Sequence, residues 1–227
     1  MVNNQTGLKR LIFAHAVAGG LPGAYQRADY LECTGYNARI DTGVAGDNET
    51  LRFQFDYMAL NAGNYAGHFG NYVDENTKCW RLIQSVTTSP RVFVVSLGNR
   101  KAGSGSGFSA VSAETGTIVG ARINFELTYG HCVTKCTDGT NINFSAETDS
   151  SPANSSNIAI GSRNVSTTGG SIKGRFWYVK IWDGDTLIRD YVPCVRKSDS
   201  KAGFYDMVNK TFNPSIGSAD FIAGMDS

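Results

Sequence analysis

Breaking a glycosidic bond takes two carboxyl groups, and a β-strand brings a pair to one face when they stand at positions i and i+2. No strand-like stretch of this chain does so. Leu51 to Tyr57 carries Asp56 alone on its polar side, and Glu147-x-Asp149 lies in a Ser/Thr-rich loop with no third carboxylate. His15, His68 and His131 are scattered among glycine and aromatic residues, and no serine or cysteine beside them makes a nucleophile and base pair. No catalytic residue and no cofactor is expected.

Metal chemistry finds little more support. Asp47, Asn48 and Glu49, or Asp183 and Asp185, offer the oxygen donors that calcium takes, but the first set reads as a surface loop and the second as a hairpin turn. Of the five cysteines, Cys132 and Cys136 follow His131. On a strand those two lie roughly 13 Å apart at about 3.3 Å per residue, too far to share a metal or a bridge. An odd number of cysteines at irregular spacing is not a disulfide framework, so buried free thiols and a reducing setting at synthesis are expected. The best ligand-binding candidate is a glycan surface. Tyr65, His68, Tyr72 and Trp80 cluster around glycines and Asn61, Asn64 and Asn71, and sugars bind where rings and amides share an exposed face. The same spacing equally allows Trp80 and Tyr65 to be core residues.

The elements that must carry these groups are strands. Ser171 to Asn209 holds the densest aromatic and β-branched run, with Phe176, Trp177, Tyr178, Val179 and Ile181 in one arm and Leu187, Ile188, Tyr191 and Val192 in the next. Asp183-Gly184 is the turn between them, and Pro193 marks an expected end to ladder donation. Strict alternation puts Leu51, Phe53, Phe55 and Tyr57 on one face, and Ile123, Phe125, Leu127 and Tyr129 on another. Ala28 to Thr34 and Ala38 to Gly43 are expected to pair as a hairpin through Gly35, and Asp138-Gly139 to turn a further one. Tyr65 to Gly70, Cys79 to Gln84 and Arg91 to Leu97 add three short strands. The Gly/Ser run from Ala102 to Gly107 reads as a surface loop inside one domain, because neither side alone completes a sandwich.

Roughly a dozen short strands in 227 residues predict an all-β, two-sheet antiparallel sandwich. A formal charge of +1 gives no electrostatic footprint for nucleic acid, and no apolar run is long enough to span a bilayer as a helix. Residues 1–20 are expected to form a separate N-terminal extended arm, with Leu11, Ile12 and Phe13 in its short apolar stretch after Lys9-Arg10. A structured, partner-bound arm fits better than a cleaved export signal, because the apolar part is broken by His15 and preceded by a polar lead.

Three stretches carry a family likeness: LPGAYQRADYLECTGYNARIDTGV near the start, RFWYVKIWDGDTLIRDYVPCVR, and KAGFYDMVNKTFNPSIGSADFIAG at the end. Together they resemble the concanavalin A-like, laminin-G-type jelly-roll domain of phage virion and gut-bacterial surface proteins, over about Leu21 to Gly224. The resemblance implies a jelly roll over residues 21–227 whose first and last strands lie side by side. It also implies structural work for Asp41, Thr42, Gly43, Tyr205 and Asp206, with carboxylates set on backbone donors at strand ends and Arg196 paired to Asp206 or Asp190. The implied role is a non-catalytic virion structural protein (capsid decoration, head fibre or tail component) at the virion surface. Its arm would hold other virion proteins, and its lectin-like domain would serve adhesion to a surface glycan, alone or as a homo-oligomer. A carbohydrate-binding module of an exported bacterial surface protein is the alternative, and a glycoside hydrolase the third reading.

Overall fold

The computed structural model describes residues 20–34, 38–61, 66–73, 79–85, 92–98, 109–111, 119–128, 131–136, 145–147, 154–166 and 173–226. Its seventeen strands begin with β1 (Tyr25–Arg27), β2 (Tyr30–Thr34), β3 (Ile40–Ala45), β4 (Leu51–Ala59), β5 (Ala66–Gly70) and β6 (Cys79–Ser85). The middle of the chain supplies β7 (Val92–Gly98), β8 (Ser109–Val111), β9 (Ile123–Thr128), β10 (His131–Cys136), β11 (Ser145–Glu147) and β12 (Asn157–Ile160). It ends with β13 (Lys173–Asp183), β14 (Thr186–Arg196), β15 (Lys201–Asp206), β16 (Thr211–Pro214) and β17 (Ile222–Gly224). No helix occurs among the described residues. Among the described residues every pairing between these strands is antiparallel, and they form the two sheets of a β-sandwich, one of 11 strands and one of 6. The arm, residues 1–19 of it, and the expected turn at Asp138-Gly139 lie outside the described residues, as do Tyr65, Tyr129 and the Ala102 to Gly107 run.

The large sheet runs β11-β10-β9-β4-β13-β14-β15-β16 and the small one β3-β12-β5-β6-β7-β8. Strand β13 pairs with β4 along one edge, while its other edge is shared by β2 over Lys173 to Phe176 and by β14 from Val179 to Asp183. Strand β17 then pairs with β2, Ala223 opposite Leu31, so the two ends of the domain lie next to each other. The alternation in β4 and β9 resolves into an inner face. Phe53, Phe55, Tyr57, Ile123, Phe125 and Leu127 are buried there with Phe69, Trp80 and Phe176. Phe55 stacks at 5.1 Å on Phe69, which ties the two sheets together, and at 5.2 Å on Phe125 within the large sheet, each pair worth roughly 0.5–1.5 kcal/mol beyond its burial.

Two local expectations change. Strands β2 and β3 do not pair. β2 belongs to the large sheet and β3 to the small one, where it pairs with β12, so the chain crosses from one layer to the other between Thr34 and Ile40. Nor does Pro193 end the ladder, because β14 continues to Arg196 against β15. The missing donor of Pro193 falls on the opposite edge, where β13 has already left and β1 has not yet begun. The Pro193 carbonyl on that edge accepts from the Ala28 amide at 3.1 Å.

A second, smaller apolar cluster sits on the outside of the large sheet. Val192, Cys194, Tyr205 and Met207 are buried there beneath Leu21, Tyr25 and Phe212. Tyr25 lies 4.8 Å from Tyr205 and 5.4 Å from Phe212, and β1 pairs with β14 beside them. Residues 20–27 are therefore a strap across the sheet. They are held as well by Lys197, whose Nζ donates to the Gly23 carbonyl at 2.8 Å and whose amide donates to that of Ala24 at 2.9 Å.

Inside the sandwich, His68 is 3% exposed and hydrogen-bonded through Nδ1 to the Tyr57 hydroxyl. Burial drives the imidazole down from 6.5 to about 3. The unfolded chain therefore binds a proton that the folded chain refuses between those two values, and stability is complete above about pH 6.5. It falls as the pH drops toward 3, by up to about 1.4 kcal/mol per pH unit from this group. Urea unfolding at a series of pH values should show that slope in the native protein and lose most of it in His68→Gln.

Candidate functional site

Strand β3 is an edge of the small sheet, and a cleft of about 450 Å³ opens between that edge and the inner face of β14, β15 and β16. Its β3 wall is Asp41, Thr42 and Gly43. Opposite stand Arg189, Tyr191 and Asp206, with Asn209, Thr211 and Asn213 at the rim. All three stretches that carry the family likeness meet here, the first through Asp41 to Gly43, the second through Arg189 and Tyr191 and the third through Asp206 to Asn213.

The β3 wall is shaped by a bulge. Ala45 faces Asn157 and Asp41 faces Ala159, so Thr42, Gly43 and Val44 share the single residue Ile158. Gly43 supplies the left-handed backbone this needs, with φ +65. The Asp41 carboxylate accepts from the Gly43 amide at 2.8 Å and from Asn157 Nδ2 at 3.2 Å. Thr42 donates its hydroxyl to the Ile158 carbonyl at 2.8 Å and accepts from the Val44 amide at 3.2 Å. Across the gap, Arg189 Nε and the Tyr191 hydroxyl both donate to the Thr42 carbonyl, at 3.0 and 3.4 Å. Burial first, and Asp206 second, push the Tyr191 phenol upward, which keeps it a donor. An edge strand that would otherwise show bare backbone is thus closed by side chains of the other sheet.

Asp206 anchors the opposite wall. Its Oδ1 accepts from the amides of Asp190 at 3.1 Å and Val208 at 3.0 Å, and its Oδ2 from Asn209 Nδ2 at 2.7 Å, with Arg189 Nε 3.6 Å away. It is buried, so it shapes the cleft without touching what enters. The groups left over are those that meet solvent. The Thr211 hydroxyl and the side-chain carbonyls of Asn209 and Asn213 accept or donate no hydrogen bond among the described residues. Donors and acceptors alternating around an open polar cleft suit a polyhydroxy ligand. The two carboxylates are both occupied by internal donors, which is how structural carboxylates are held.

The aromatic platform expected from sequence is not a surface. His68, Asn71 and Trp80 are 3%, 0% and 1% exposed. Trp80 packs edge-on against Phe53 at 4.9 Å and donates its Nε1 to the Gly46 carbonyl at 2.8 Å. Asn71 accepts from the Trp80 amide at 2.8 Å and donates to the carbonyls of Asn154 and Ser156, so it clamps two loops together. Tyr72 is half-buried with the Arg163 guanidinium 4.6 Å over its ring. Arg196 does not reach Asp206 or Asp190. It pairs with Asp199 at 2.6 Å, which holds that carboxyl down at about 2, and Arg189 takes the Asp206 side instead. Asp183 accepts from Asn48 at 3.0 Å and from Thr50, and Gly184 turns the hairpin with φ +55. Among the described residues, no group of three His, Cys, Asp or Glu is placed to hold a metal ion.

Arg189, Asn209, Thr211 and Asn213 are the cleft residues that sequence reading passed over. One signal was there: Arg189 has the same parity as Tyr191 on a strand whose inner side is apolar, so a charge at that position needs a buried partner.

Replacing Asp206 by Ala leaves two backbone amides, Asn209 and Arg189 without their acceptor and should lower stability by about 3 kcal/mol. Asp206→Asn, which keeps one oxygen, should lose less, both read from urea midpoints. A scan of protein-family models and a search of curated proteins find no match to this chain.

Proposed function

We propose that this chain is a non-catalytic display protein of a virion surface. In this reading it is a concanavalin A-like jelly roll that holds other virion proteins through residues 1–20 and adheres to a host-surface glycan. The observation that carries the reading is the cleft between β3 and β14 to β16. The motifs responsible for the family likeness converge there, and they leave a rim of unused hydrogen-bonding groups. The pairing of the last strand, β17, with the second, β2, brings the ends of the domain together and supports the jelly-roll reading, although the first strand, β1, lies on β14 instead. Cys33, Cys79 and Cys194 are buried free thiols, which supports folding in a reducing compartment over passage through an export pathway. An exported bacterial carbohydrate-binding module would share the cleft but should yield a mature chain cleaved near Gly19 or Gly20.

Two measurements test this. The purified protein should bind members of a glycan array without releasing reducing ends, and Asn209→Ala with Asn213→Ala should weaken binding by roughly tenfold, the loss of one or two hydrogen bonds. Steady release of reducing ends would defeat the non-catalytic reading. Deleting residues 1–20 should abolish incorporation into particles while the domain still folds.

A further inference from the structure

The charges of the cleft do not cancel. Arg189 is compensated by Asp206, with Nε 3.6 Å from the carboxylate, and the guanidinium also donates to the carbonyls of Thr42 and Ile188. Asp41 has no such cation. Among the described residues its carboxylate is met only by the Gly43 amide and the Asn157 carboxamide, both neutral donors. It is only half-buried, so one charge remains uncompensated at the wall where a ligand enters. The other open groups, Thr211, Asn209 and Asn213, are neutral and match hydroxyls.

We propose that the cleft selects a saccharide bearing a free amine, with the ammonium against Asp41 and the ring hydroxyls on Thr211, Asn209 and Asn213. This deepens the glycan reading and rests on it. An acidic sugar meets the field of Asp41 without relief from Arg189, whose charge is already matched, and an N-acetylated sugar offers no cation. A half-exposed pair of opposite charges in a cleft is screened by salt, so the preference weakens as ionic strength rises.

The test is calorimetric titration with three probes of matched length: a glucosamine hexamer, its N-acetylated counterpart and an oligogalacturonate. The glucosamine hexamer should bind at least about tenfold more tightly than either of the others at low salt. That advantage should shrink several-fold between about 20 mM and 0.5 M salt. Asp41→Asn should remove it while leaving the N-acetylated probe nearly unchanged. Asp185→Asn, at the exposed tip of the β13–β14 hairpin, should preserve it and so exclude diffuse attraction to an oligocation. Equal or tighter binding of either of the other probes overturns the inference while the adhesion reading stands. So does an advantage that survives both high salt and Asp41→Asn. Binding of none of the three overturns the saccharide reading itself.

Discussion

Strand β13 has eleven residues and both of its edges must be satisfied, because it lies in the interior of the large sheet where no water can take the place of a partner. One neighbour, β4, covers one whole edge. No single strand covers the other, and the chain solves this by placing β2 against the first part and β14 against the second. From that division the rest follows. β2 is drawn from the start of the chain into the middle of the large sheet, and it offers its own free edge to β17 from the end. β14, released from β13 beyond Tyr191, is free to receive β1. The strap, the meeting of the termini and the position of Arg189 are all consequences of how one apolar strand obtains its hydrogen bonds.

Much of this architecture was legible because a half-buried strand writes a period of two. The alternation of β4 and β9, the β13–β14 hairpin with its Asp-Gly turn, and the three strands β5 to β7 needed no tertiary information. The crossing from β2 to β3 was not legible. A glycine bend looks the same whether the chain returns to its own sheet or passes to the other, and only the competition for the edge of β13 decides. The ring and amide cluster around Asn71 and Trp80 misled for a related reason. Carboxamides that saturate loop carbonyls and carboxamides that grip sugars have the same composition, and exposure, which separates them, is a property of the fold. In the case of Pro193, what counted was which edge of the strand lacked a donor, and that depends on where β13 ends.

The cleft is built mainly by residues that do structural work. Asp206 is turned inward and holds Asn209 by its Nδ2, while Asn213 is held by the carbonyls of Phe204 and Thr211, so both amides are fixed through their nitrogens. Arg189 joins the two walls, since Nε donates to the Thr42 carbonyl on β3 and lies 3.6 Å from the Asp206 carboxylate on β15. Rigid walls reduce the ordering that a ligand would otherwise impose, which raises affinity without added contacts.

The route of β14 has a mechanical consequence. Its amino-terminal half bears Arg189 and Tyr191 in the cleft, and its carboxy-terminal end carries the strap, with Tyr25 opposite Arg196. A pull on the strap that is resisted at the cleft wall therefore passes through β14, and the three facing residue pairs of β1 and β14, with the ring contacts of Tyr25 to Tyr205 and Phe212, are what hold against it.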